Sequence, residues 1–268
     1  MRPIGRRGGS SSLHLATIIL AAGRGVRMRS GLPKVLHPLG GRPMLEYVLE
    51  LASSCRPERL LVVVGHGAEK VREACGSWFA GAGKGVEPEF VLQRRQLGTG
   101  HATRLACGRL KDFGGDILIL SGDVPLLEAA TLRALIGRRR RSGASLVLLT
   151  AEPSSPKGYG RIVRDERGRV LRVVEEVDAL PRERRIGEIN AGTYCFESSF
   201  LMSSLNALRR DNLQGELYLT DLVELATRRG LKVLGLKVPD PEAALGVNSR
   251  RELARAEALL RERKVLSP

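Results

Sequence analysis

Short apolar runs alternate with amphipathic segments along the first half of the chain. Runs of aliphatic and β-branched residues are typical of buried strands, and apolar positions recurring every three or four residues are typical of helices. The pattern predicts strands at residues 15–20, 60–65, 88–93, 117–121 and 144–150. It predicts helices at residues 44–55, 69–75, 99–110 and 126–141, with Thr99 as the N-cap of the third. Strands that alternate with helices indicate a mostly parallel sheet covered on both faces.

The pattern becomes more varied after Pro153. It predicts a hairpin of residues 160–164 and 169–175, strands at 189–196 and 232–238, and helices at 199–209, 220–229 and 250–264. The strand at 232–238 would close the sheet. No internal repeat is visible, and no six-residue β-helix repeat follows the last helix. We therefore expect one domain over residues 13–248, followed by a helix and tail over 249–268.

The N-terminal residues and the cysteines indicate where the protein works. Residues 1–12 are rich in Arg, Gly and Ser and lack an apolar core, so they predict a disordered tail rather than a signal peptide. No stretch approaches the roughly 20 apolar residues of a membrane span, and we expect no membrane partner. The four cysteines are scattered without a C-x-x-C pair. This favours reduced thiols in a cytoplasmic protein over a zinc site or disulfides.

The chain of 268 residues carries a formal net charge of +15. An arginine-rich solvated surface is the simplest interpretation, and attraction of polyanionic substrates is the second. Nucleic-acid binding is the third, and it would need basic residues gathered on one face beside aromatic or groove-reading elements. Of the three, it is the least favoured, and no nucleic-acid partner is expected.

A glycine-rich loop follows the first predicted strand. Small residues allow backbone N–H groups to approach phosphate oxygens, and an arginine and a lysine add fixed positive charge. The loop has the spacing of neither a P-loop nor a dinucleotide fingerprint. A structural turn would explain the glycines alone, but the whole combination predicts a triphosphate site. The residues concerned are Leu20, Ala21, Ala22, Gly23, Arg27 and Lys34.

Two further motifs lie at the predicted ends of strands, where open α/β sheets bind ligands. After the third strand, a glutamine amide and free backbone N–H groups could pair with the edge of uracil, although a tight turn is the alternative. After the fourth strand, an aspartate beside a triphosphate is a natural Mg²⁺ ligand, although a turn cap is the alternative. The residues are Gln93, Gly98 and Thr99 in the first motif, and Ser121, Gly122 and Asp123 in the second.

Polar motifs in the second half offer partners for a sugar phosphate. A backbone glycine, a carboxylate and an amide suit sugar hydroxyls and an acetamido group, although each motif alone could be a turn or a cap. The candidates are Gly160, Glu175, Asn190, Tyr218 and Thr220. Asn248 precedes the last helix and is either its N-cap or a second metal ligand. The spacing leaves both roles open.

The ordered motifs resemble the uridylyltransferase domain of the bacterial bifunctional N-acetylglucosamine-1-phosphate uridylyltransferase/glucosamine-1-phosphate acetyltransferase family. The similarity runs from about Leu15 to Asn248. It is carried by Leu-Ala-Ala-Gly-x-Gly-x-Arg-Met, Leu-Pro-Lys, Gln-Leu-Gly-Thr-Gly-His-Ala, Gly-Tyr-Gly-Arg-Ile and Glu-Ile-Asn. Related glycine-rich loops occur in the cytidylyltransferases of isoprenoid synthesis and in the molybdopterin guanylyltransferases. The resemblance implies an α/β, Rossmann-like nucleotidyltransferase fold with a mixed, mostly parallel central sheet and helices on both faces.

The resemblance also implies a reaction and a role for each candidate. UMP would pass from UTP to N-acetylglucosamine 1-phosphate with release of pyrophosphate and with Mg²⁺ as cofactor. The backbone of residues 20–23 would contact the nucleotide beside Ser121 and Gly122, while Gln93, Gly98 and Thr99 would hold the uridine. Arg27 and Lys34 would be catalytic phosphate contacts, Asp123 and Asn248 metal ligands, and Gly160, Glu175, Asn190, Tyr218 and Thr220 the sugar site. No general base is needed, because a phosphate monoester is already ionised, so His66 and His101 are expected to be structural.

The sequence departs from the family pattern in three places. Ser121 stands where members often have an aromatic residue, and Ala191 and Leu217 replace the usual Thr and Tyr of the sugar motifs. The left-handed β-helix acetyltransferase domain does not follow, so neither acetyl transfer nor the β-helix trimer is expected. Two alternatives stay open. One is a nucleotidyltransferase for another sugar 1-phosphate or nucleotide, and the other is a non-catalytic regulator that binds sugar nucleotides or RNA.

Overall fold

A central mixed sheet organises the protein, whose computed structural model describes residues 14–82 and 85–266. The disordered tail predicted at residues 1–12 lies outside the described residues. The strands are β1 Leu15–Ala21, β2 Pro38–Leu39, β3 Arg42–Pro43, β4 Arg59–Val64, β5 Glu89–Leu92, β6 Asp116–Ser121, β7 Leu146–Ala151, β8 Arg161–Arg164, β9 Val170–Val174, β10 Ile189–Glu197 and β11 Val233–Lys237. The helices are α1 Met44–Ser54, α2 Ala68–Ala82, α3 Thr99–Cys107, α4 Ala129–Ser142, α5 Pro181–Arg184, α6 Ser198–Ser204, α7 Asp221–Arg228 and α8 Arg250–Leu266.

The main sheet runs in the order β11-β7-β10-β6-β1-β4-β5, with β8 and β9 attached through β10. Strands β5, β4, β1 and β6 are mutually parallel, and β11 is parallel to β7. Strand β10 runs antiparallel between β6 and β7. The predicted fold class, a mixed and mostly parallel sheet, is confirmed. Strand β11 lies at one edge, as predicted.

Two apolar clusters, one on each face of the sheet, bury its strands on both sides. Leu15, Ile19 and Ala21 of β1 pack into one cluster with α1, α2 and α4, whereas Ala16 and Ile18 pack into the other with α3, α6 and α7. This alternation follows from successive strand side chains pointing to opposite faces. A third, smaller cluster joins α8 to the β2–β3 hairpin and to the loop before α4.

Several helices differ from their predicted bounds. Helix α2 continues to Ala82 rather than ending at Cys75, because Trp78 adds another buried anchor. Helix α4 begins at Ala129, since Leu126 packs against the third cluster instead of starting the helix. Helix α6 ends at Ser204 and gives way to a 3₁₀ turn. The β2–β3 hairpin and α5 are too short to leave a periodic signal.

The prediction that Thr99 caps α3 is wrong. Gly98 occupies the N-cap position, with φ of 97°, and Thr99 is already the first helical residue. The Thr99 hydroxyl instead accepts a hydrogen bond from the backbone N–H of Leu219 at 3.0 Å. A residue 120 positions away in sequence therefore replaces the local partner that the capping pattern predicts.

A fully buried carboxylate stabilises the amino-terminal end of β6. Asp116 is 0% exposed and forms ion pairs with Arg139 and Arg140 of α4. Removing one partner of a buried pair leaves uncompensated charge, so we predict that Asp116→Ala lowers the free energy of unfolding by about 3–5 kcal/mol. Urea denaturation measures this change.

The exposed pair between Lys237 and Glu152 provides the control for Asp116→Ala. Glu152→Ala should change stability by less than about 0.5 kcal/mol, because exposed pairs contribute little. Equal effects of the two substitutions would contradict the importance of the buried pair.

Candidate functional site

The carboxyl ends of four parallel strands meet at one edge of the sheet. In the strand register, Ala21 lies beside Val64, Val64 beside Leu92, and Leu20 beside Ser121. The glycine-rich loop, Gln93 and Asp123 follow three of these strand ends directly. Motifs that are far apart in sequence therefore lie at the same edge of the sheet, which is where open α/β sheets bind ligands.

The glycine-rich loop folds back so that Lys34 lies beside its centre. Gly25 has φ of 62°, and a Cβ at this position would lie 2.6 Å from Cβ of Lys34. Only glycine fits such an approach in the left-handed region. Residues Lys34–Leu36 form a 3₁₀ turn whose Val35 and Leu36 side chains are buried. Together, these constraints fix the base of the Lys34 side chain.

Lys34 joins two other predicted site residues in a hydrogen-bonded junction. Its ammonium donates to Oδ2 of Asp123 and, at 2.8 Å, to Oδ1 of Asn248. The side chains of Lys34 and Asp123 are only 15% and 16% exposed. The junction links the glycine-rich loop, the end of β6 and the segment before α8.

Asn248 is not the N-cap of α8. The hydroxyl of Ser249 accepts from the backbone N–H of Glu252 at 3.3 Å, and the Glu252 carboxylate accepts from the N–H of Asn248 at 2.8 Å. This arrangement is a variant of the capping box, and the Ser-x-x-Glu spacing at 249–252 was the sequence signal for it. The Asn248 side chain is therefore available to the junction.

A cavity of about 390 Å³ opens beside this junction. Its lining includes nearly all of the residues predicted to hold the nucleotide, together with Lys34 and Asp123. Those lining residues are Leu20, Ala21, Ala22, Gly23, Gln93, Gly98, Thr99 and Ser121. Gly122 does not line the cavity, because its N–H donates to the carbonyl of Leu20 at 2.9 Å and a Cβ there would lie 3.0 Å from that oxygen. We call this space the nucleotide cavity.

Gln93 is held in a defined orientation at the wall of the nucleotide cavity. Its amide nitrogen donates to the carbonyl of Gly98 and to Nδ1 of His101, both at 3.1 Å. Burial lowers the pKa of His101, which keeps the imidazole neutral near pH 7 and preserves an accepting nitrogen. His101 thus orients Gln93, and the Gln93 carbonyl oxygen is the group left to bind a ligand.

The segment carrying the predicted sugar residues pairs directly with the start of α3. The N–H of Gly100 donates to the carbonyl of Leu217, and the N–H of Leu217 donates to the carbonyl of Leu97, both at 2.8 Å. A Cβ at Gly98 would lie 2.5 Å from the Leu217 carbonyl oxygen. These contacts join the predicted nucleotide and sugar motifs along one short backbone ladder.

Four of the five predicted sugar residues lie close together. The Thr220 hydroxyl donates to Glu175 at 2.9 Å, and a Cβ at Gly160 would lie 3.2 Å from the same carboxylate. The N–H of Asn190 donates to the carbonyl of Gly160 at 2.9 Å, and its side-chain amide donates to the hydroxyl of Tyr194 at 2.6 Å. The fifth, Tyr218, lies on the same segment as Thr220.

The hydroxyl of Tyr218 donates to the side-chain oxygen of Gln214 at 2.8 Å. The pKa of this tyrosine is raised by burial and by nearby Asp178 and Glu175. The five candidates therefore surround a buried, acidic region next to the nucleotide cavity.

Burial and mutual repulsion raise the pKa values of two carboxyl groups in this acidic region. Burial raises the pKa of Glu175, against the hydrogen bond from Thr220. Burial, followed by repulsion from Glu175, Glu224 and Asp178, raises the pKa of Asp221 to about 6. The region is therefore short of positive charge, which suits neutral hydroxyl and amide groups better than an anion.

Arg27, although predicted as part of the same site, lines a different cavity. This second cavity, of about 680 Å³, is bounded by Arg27, by the 155–159 loop and by the start of α8. The nucleotide cavity instead receives Arg24 from the same loop. Arg24 donates to the side-chain oxygen of Gln96 at 3.3 Å.

Several residues that line the nucleotide cavity were not among the predicted site residues, namely Arg24, Val35, Gln96, Ala102 and Glu216. Arg24 lies within the glycine-rich loop and Gln96 within the Gln93 motif, so their position in those motifs was a usable signal. Glu216 could be placed only through the pairing of residues 217–219 with α3. Burial raises its pKa.

The junction offers an all-oxygen donor set for a divalent cation. Asp123 and Asn248 point one oxygen each at a single positive centre, the Lys34 ammonium, so the two donors converge. Within the described residues, no group of three or more His, Cys, Asp or Glu side chains could hold a metal. One carboxylate and one amide fit a metal such as Mg²⁺, which takes few protein ligands and keeps water and substrate phosphates as the others.

The fold and site place the chain in a known class. The chain belongs to the family of MobA-like NTP transferase domains, whose model matches residues 17–212. It is similar to bifunctional protein GlmU from a strain of Thermus thermophilus, with 52% identity over 92% of this chain and 52% of that protein. It is also similar to bifunctional protein GlmU from Pelobacter propionicus, with 48% identity over 93% of this chain and 53% of that protein. The predicted resemblance to a bacterial bifunctional family is confirmed, and the chain spans about half the length of these relatives.

The fold also matches a solved structure from Bacillus anthracis, provisionally assigned as a glucose-1-phosphate thymidylyltransferase and bound to sucrose. The TM-score is 0.74 at 21% identity, and the match covers 92% of this chain and 95% of the other. This likeness supports the nucleotidyltransferase fold. No helix among the described residues is long and apolar enough to cross a membrane.

The acidic region predicts a pH-dependent stability. Because the pKa of Asp221 is about 6 in the folded protein and 3.8 ordinarily, its ionisation costs stability as the pH rises through this window. We expect Asp221→Asn to stabilise the protein at pH 7.5 by about 1–2 kcal/mol, after allowing for solvent screening and for the favourable charge at the start of α7. At about pH 4 the gain should nearly vanish.

Urea denaturation at the two pH values measures this difference. Asp112→Asn, which removes the same charge from an exposed position, is the matched control and should show no such pH dependence. A variant that is equally or less stable than wild type at pH 7.5 would contradict the raised pKa.

Proposed function

We propose that the protein transfers UMP from UTP to N-acetylglucosamine 1-phosphate and releases pyrophosphate. The observation that carries the proposal is the junction of Lys34, Asp123 and Asn248 at the wall of the nucleotide cavity. At this junction, the Lys34 ammonium can bind phosphate oxygens, and the oxygens of Asp123 and Asn248 can bind a metal. The similarity to bifunctional GlmU proteins supports this choice of reaction.

Gln93 would select uracil over cytosine. Because its amide nitrogen already donates to Gly98 and His101, its carbonyl oxygen is left to accept a hydrogen bond. Uracil carries an N–H at position 3 that can donate to this oxygen, whereas cytosine has an acceptor there. A cytosine would leave two acceptors facing each other in a partly buried site, which is strongly unfavourable.

The acidic region would hold the sugar. Glu175 and Asn190 can accept and donate hydrogen bonds to sugar hydroxyls, and Thr220 orients the Glu175 carboxylate. The Ser121 hydroxyl donates to the carbonyl of Gly192 at 3.1 Å, so it would hold the β6 end against β10. Neutral sugar groups would enter this region, while the phosphate would face Lys34.

The reaction would proceed by displacement at the α-phosphorus of UTP. An oxygen of the sugar phosphate forms the new bond, the bond to the β-phosphate oxygen breaks, and pyrophosphate leaves with the released charge. Lys34 would neutralise phosphate oxygens, and the backbone of residues 20–23 would donate N–H groups to the nucleotide. Positioning of two anions against each other is the main demand on the protein.

We propose Mg²⁺ as the metal that Asp123 and Asn248 hold. When bound, it would supply positive charge that neutralises phosphate oxygens. Lys34 would then exchange its contacts with these two residues for contacts with phosphate oxygens, because the metal supplies the charge that the ammonium provides in its absence. We also propose a cytoplasmic location, which the four free cysteines favour.

The substrate choice can be tested by pyrophosphate release from a matrix of nucleotides and sugar 1-phosphates, with and without Mg²⁺. UTP with N-acetylglucosamine 1-phosphate should be the best pair, and CTP should be poorer by about 10² or more in kcat/KM. Gln93→Leu should lower kcat/KM for UTP by about 10–100-fold and largely remove the preference over CTP. If another pair gives the highest kcat/KM, the proposed substrates are wrong. If no pair releases pyrophosphate, the proposed enzyme activity is wrong.

The junction makes a separate prediction. Lys34→Met and Asp123→Asn should each lower kcat by about 10²-fold or more while the protein stays folded. The first removes a cation that would neutralise phosphate oxygens, and the second removes the carboxylate that would hold the metal. Lys237→Met, which removes an exposed lysine of a surface pair, should keep wild-type turnover. Turnover and circular dichroism are measured on all three variants to compare activity and folding. Wild-type rates in either junction variant would refute the roles assigned to Lys34 and Asp123.

A further inference from the structure

Strand β11 leaves one side of its backbone without a partner. Among the described strands it pairs only with β7, and it forms one edge of the main sheet. The carbonyl of Lys232 accepts from the N–H of Ser145, and the N–H of Val238 donates to the carbonyl of Thr150, both at 2.9 Å. Because the backbone groups of a strand alternate in direction, the even-numbered residues face β7. The residues that face outward are Val233, Gly235 and Lys237.

A groove of about 530 Å³ follows this free edge, and residues 232–235 line it. Arg138 reaches it from α4, which packs against one face of the sheet. The tip of the β8–β9 hairpin and Thr227 of α7 reach it from the other face. The space therefore wraps around the edge of the sheet, which is the shape that an added strand requires. We call this space the edge groove.

The two faces of the edge groove differ in chemistry. On the α4 face, the ammonium of Lys232 donates to the carbonyl of Ser142, the last residue of α4, at 3.1 Å, and Arg138 belongs to the same helix. On the hairpin face, Leu171 and Leu231 are 39% and 38% exposed beside buried Val170. A strand added to β11 would point alternate side chains toward these two faces. One set would meet cations and the other set apolar groups.

The edge groove carries positive charge that no residue of the protein balances. The cations of its lining are Arg138, Arg164, Arg169 and Lys232, and no described lining residue is acidic. Arg164 pairs with Glu188 at 2.7 Å. Arg169 pairs with Asp165 at the same distance. Arg138 and Lys232 are exposed and have no acidic partner in the described part of the chain. These two cations favour an acidic ligand and disfavour a second copy of β11, which would bring like charges together.

We propose that the edge groove binds an extended segment of a partner protein, in which acidic and apolar residues alternate, as an additional strand beside β11. The outward backbone groups of Val233 and Gly235 hold the main chain of this segment. Arg138 and Lys232 bind its carboxylates, and the hairpin face takes its apolar side chains. The edge groove shares no lining residue with the nucleotide cavity, so the segment binds without blocking that cavity.

The opposite edge of the sheet is built differently. Pro88, which has no N–H to donate, directly precedes the edge strand β5. Proline at the start of an edge strand discourages pairing with another chain. Strand β11 has no proline between its ends and has Gly235 at its centre.

A fluorescein-labelled peptide of sequence Glu-Val-Glu-Val-Glu-Val is the probe, and fluorescence anisotropy measures its Kd. We expect saturable binding that weakens as salt is added, and no binding of the Lys-Val counterpart. Two further peptides carry N-methyl groups on either the Glu or the Val nitrogens. Since one of these sets faces β11, at least one methylated peptide should bind about tenfold more weakly.

Two outcomes of the peptide experiment would overturn the proposal. Equal affinity of both methylated peptides would exclude strand addition. Failure of the Glu-Val peptide to bind would leave the cations only as protection of the edge against pairing.

Variants locate the site. Arg138→Ala/Lys232→Ala should raise the Kd for the Glu-Val peptide by about tenfold or more and leave turnover of UTP and sugar phosphate at the wild-type rate. Arg133→Ala removes an exposed arginine from the same helix, outside the groove lining, and should change neither. An unchanged Kd in the double variant would overturn the proposal. Thermal melting checks that each variant is folded.

Two other occupants are distinguished by the same assay. A single-stranded oligoadenylate that binds more tightly than the peptide, and loses this binding in the double variant, would assign the groove to nucleic acid and overturn the proposal. In sedimentation velocity, a wild-type dimer that the Glu-Val peptide dissociates would assign the edge to a second copy of this chain, with the same consequence.

Discussion

The bond network around the Lys34 ammonium is the interaction on which the arrangement of the site depends. A single cation holds an aspartate from the end of β6 and an asparagine from the segment before α8, and the glycine-rich loop delivers that cation because Gly25 lets the loop approach Lys34. These hydrogen bonds join three segments that are distant in sequence, and the Lys34 and Asp123 side chains that form them are mostly buried. Without the positive charge, the Asp123 carboxylate would lack its ion-pair partner in a partly buried position, which is costly.

Charge also divides the space around this junction into regions with different ligand preferences. On one side, Glu175, Asp178 and Asp221 make an acidic region that suits the neutral groups of a sugar better than an anion. On the other side, Arg24 lines the nucleotide cavity, and Arg27 and the start of α8 line the second cavity, where cations suit phosphates. A sugar phosphate bridging the two regions would have its orientation fixed before any reaction, and orientation is the largest demand of phosphoryl transfer.

Local patterns in the sequence were enough to predict the strands of the main sheet, the sheet class and most of the nucleotide-cavity lining. These follow from the spacing of apolar residues and from motifs at the ends of strands. What the sequence could not provide was pairing between distant segments. The assignment of Thr99 as a cap failed because Leu219 supplies the partner of its hydroxyl, and the antiparallel position of β10 depends on tertiary context. The capping box of α8 was visible in the spacing of Ser249 and Glu252, and it would have removed the ambiguity about Asn248.

A crystal structure of the protein with UTP and Mg²⁺ would test the role of the Lys34 junction. We expect a metal ion bound by oxygens of Asp123 and Asn248 at about 2.0–2.1 Å, the triphosphate beside Lys34, and the uracil N3–H donating to the Gln93 carbonyl oxygen. A nucleotide bound away from this cavity, or a triphosphate touching neither Lys34 nor a metal on Asp123, would refute the roles assigned to these residues.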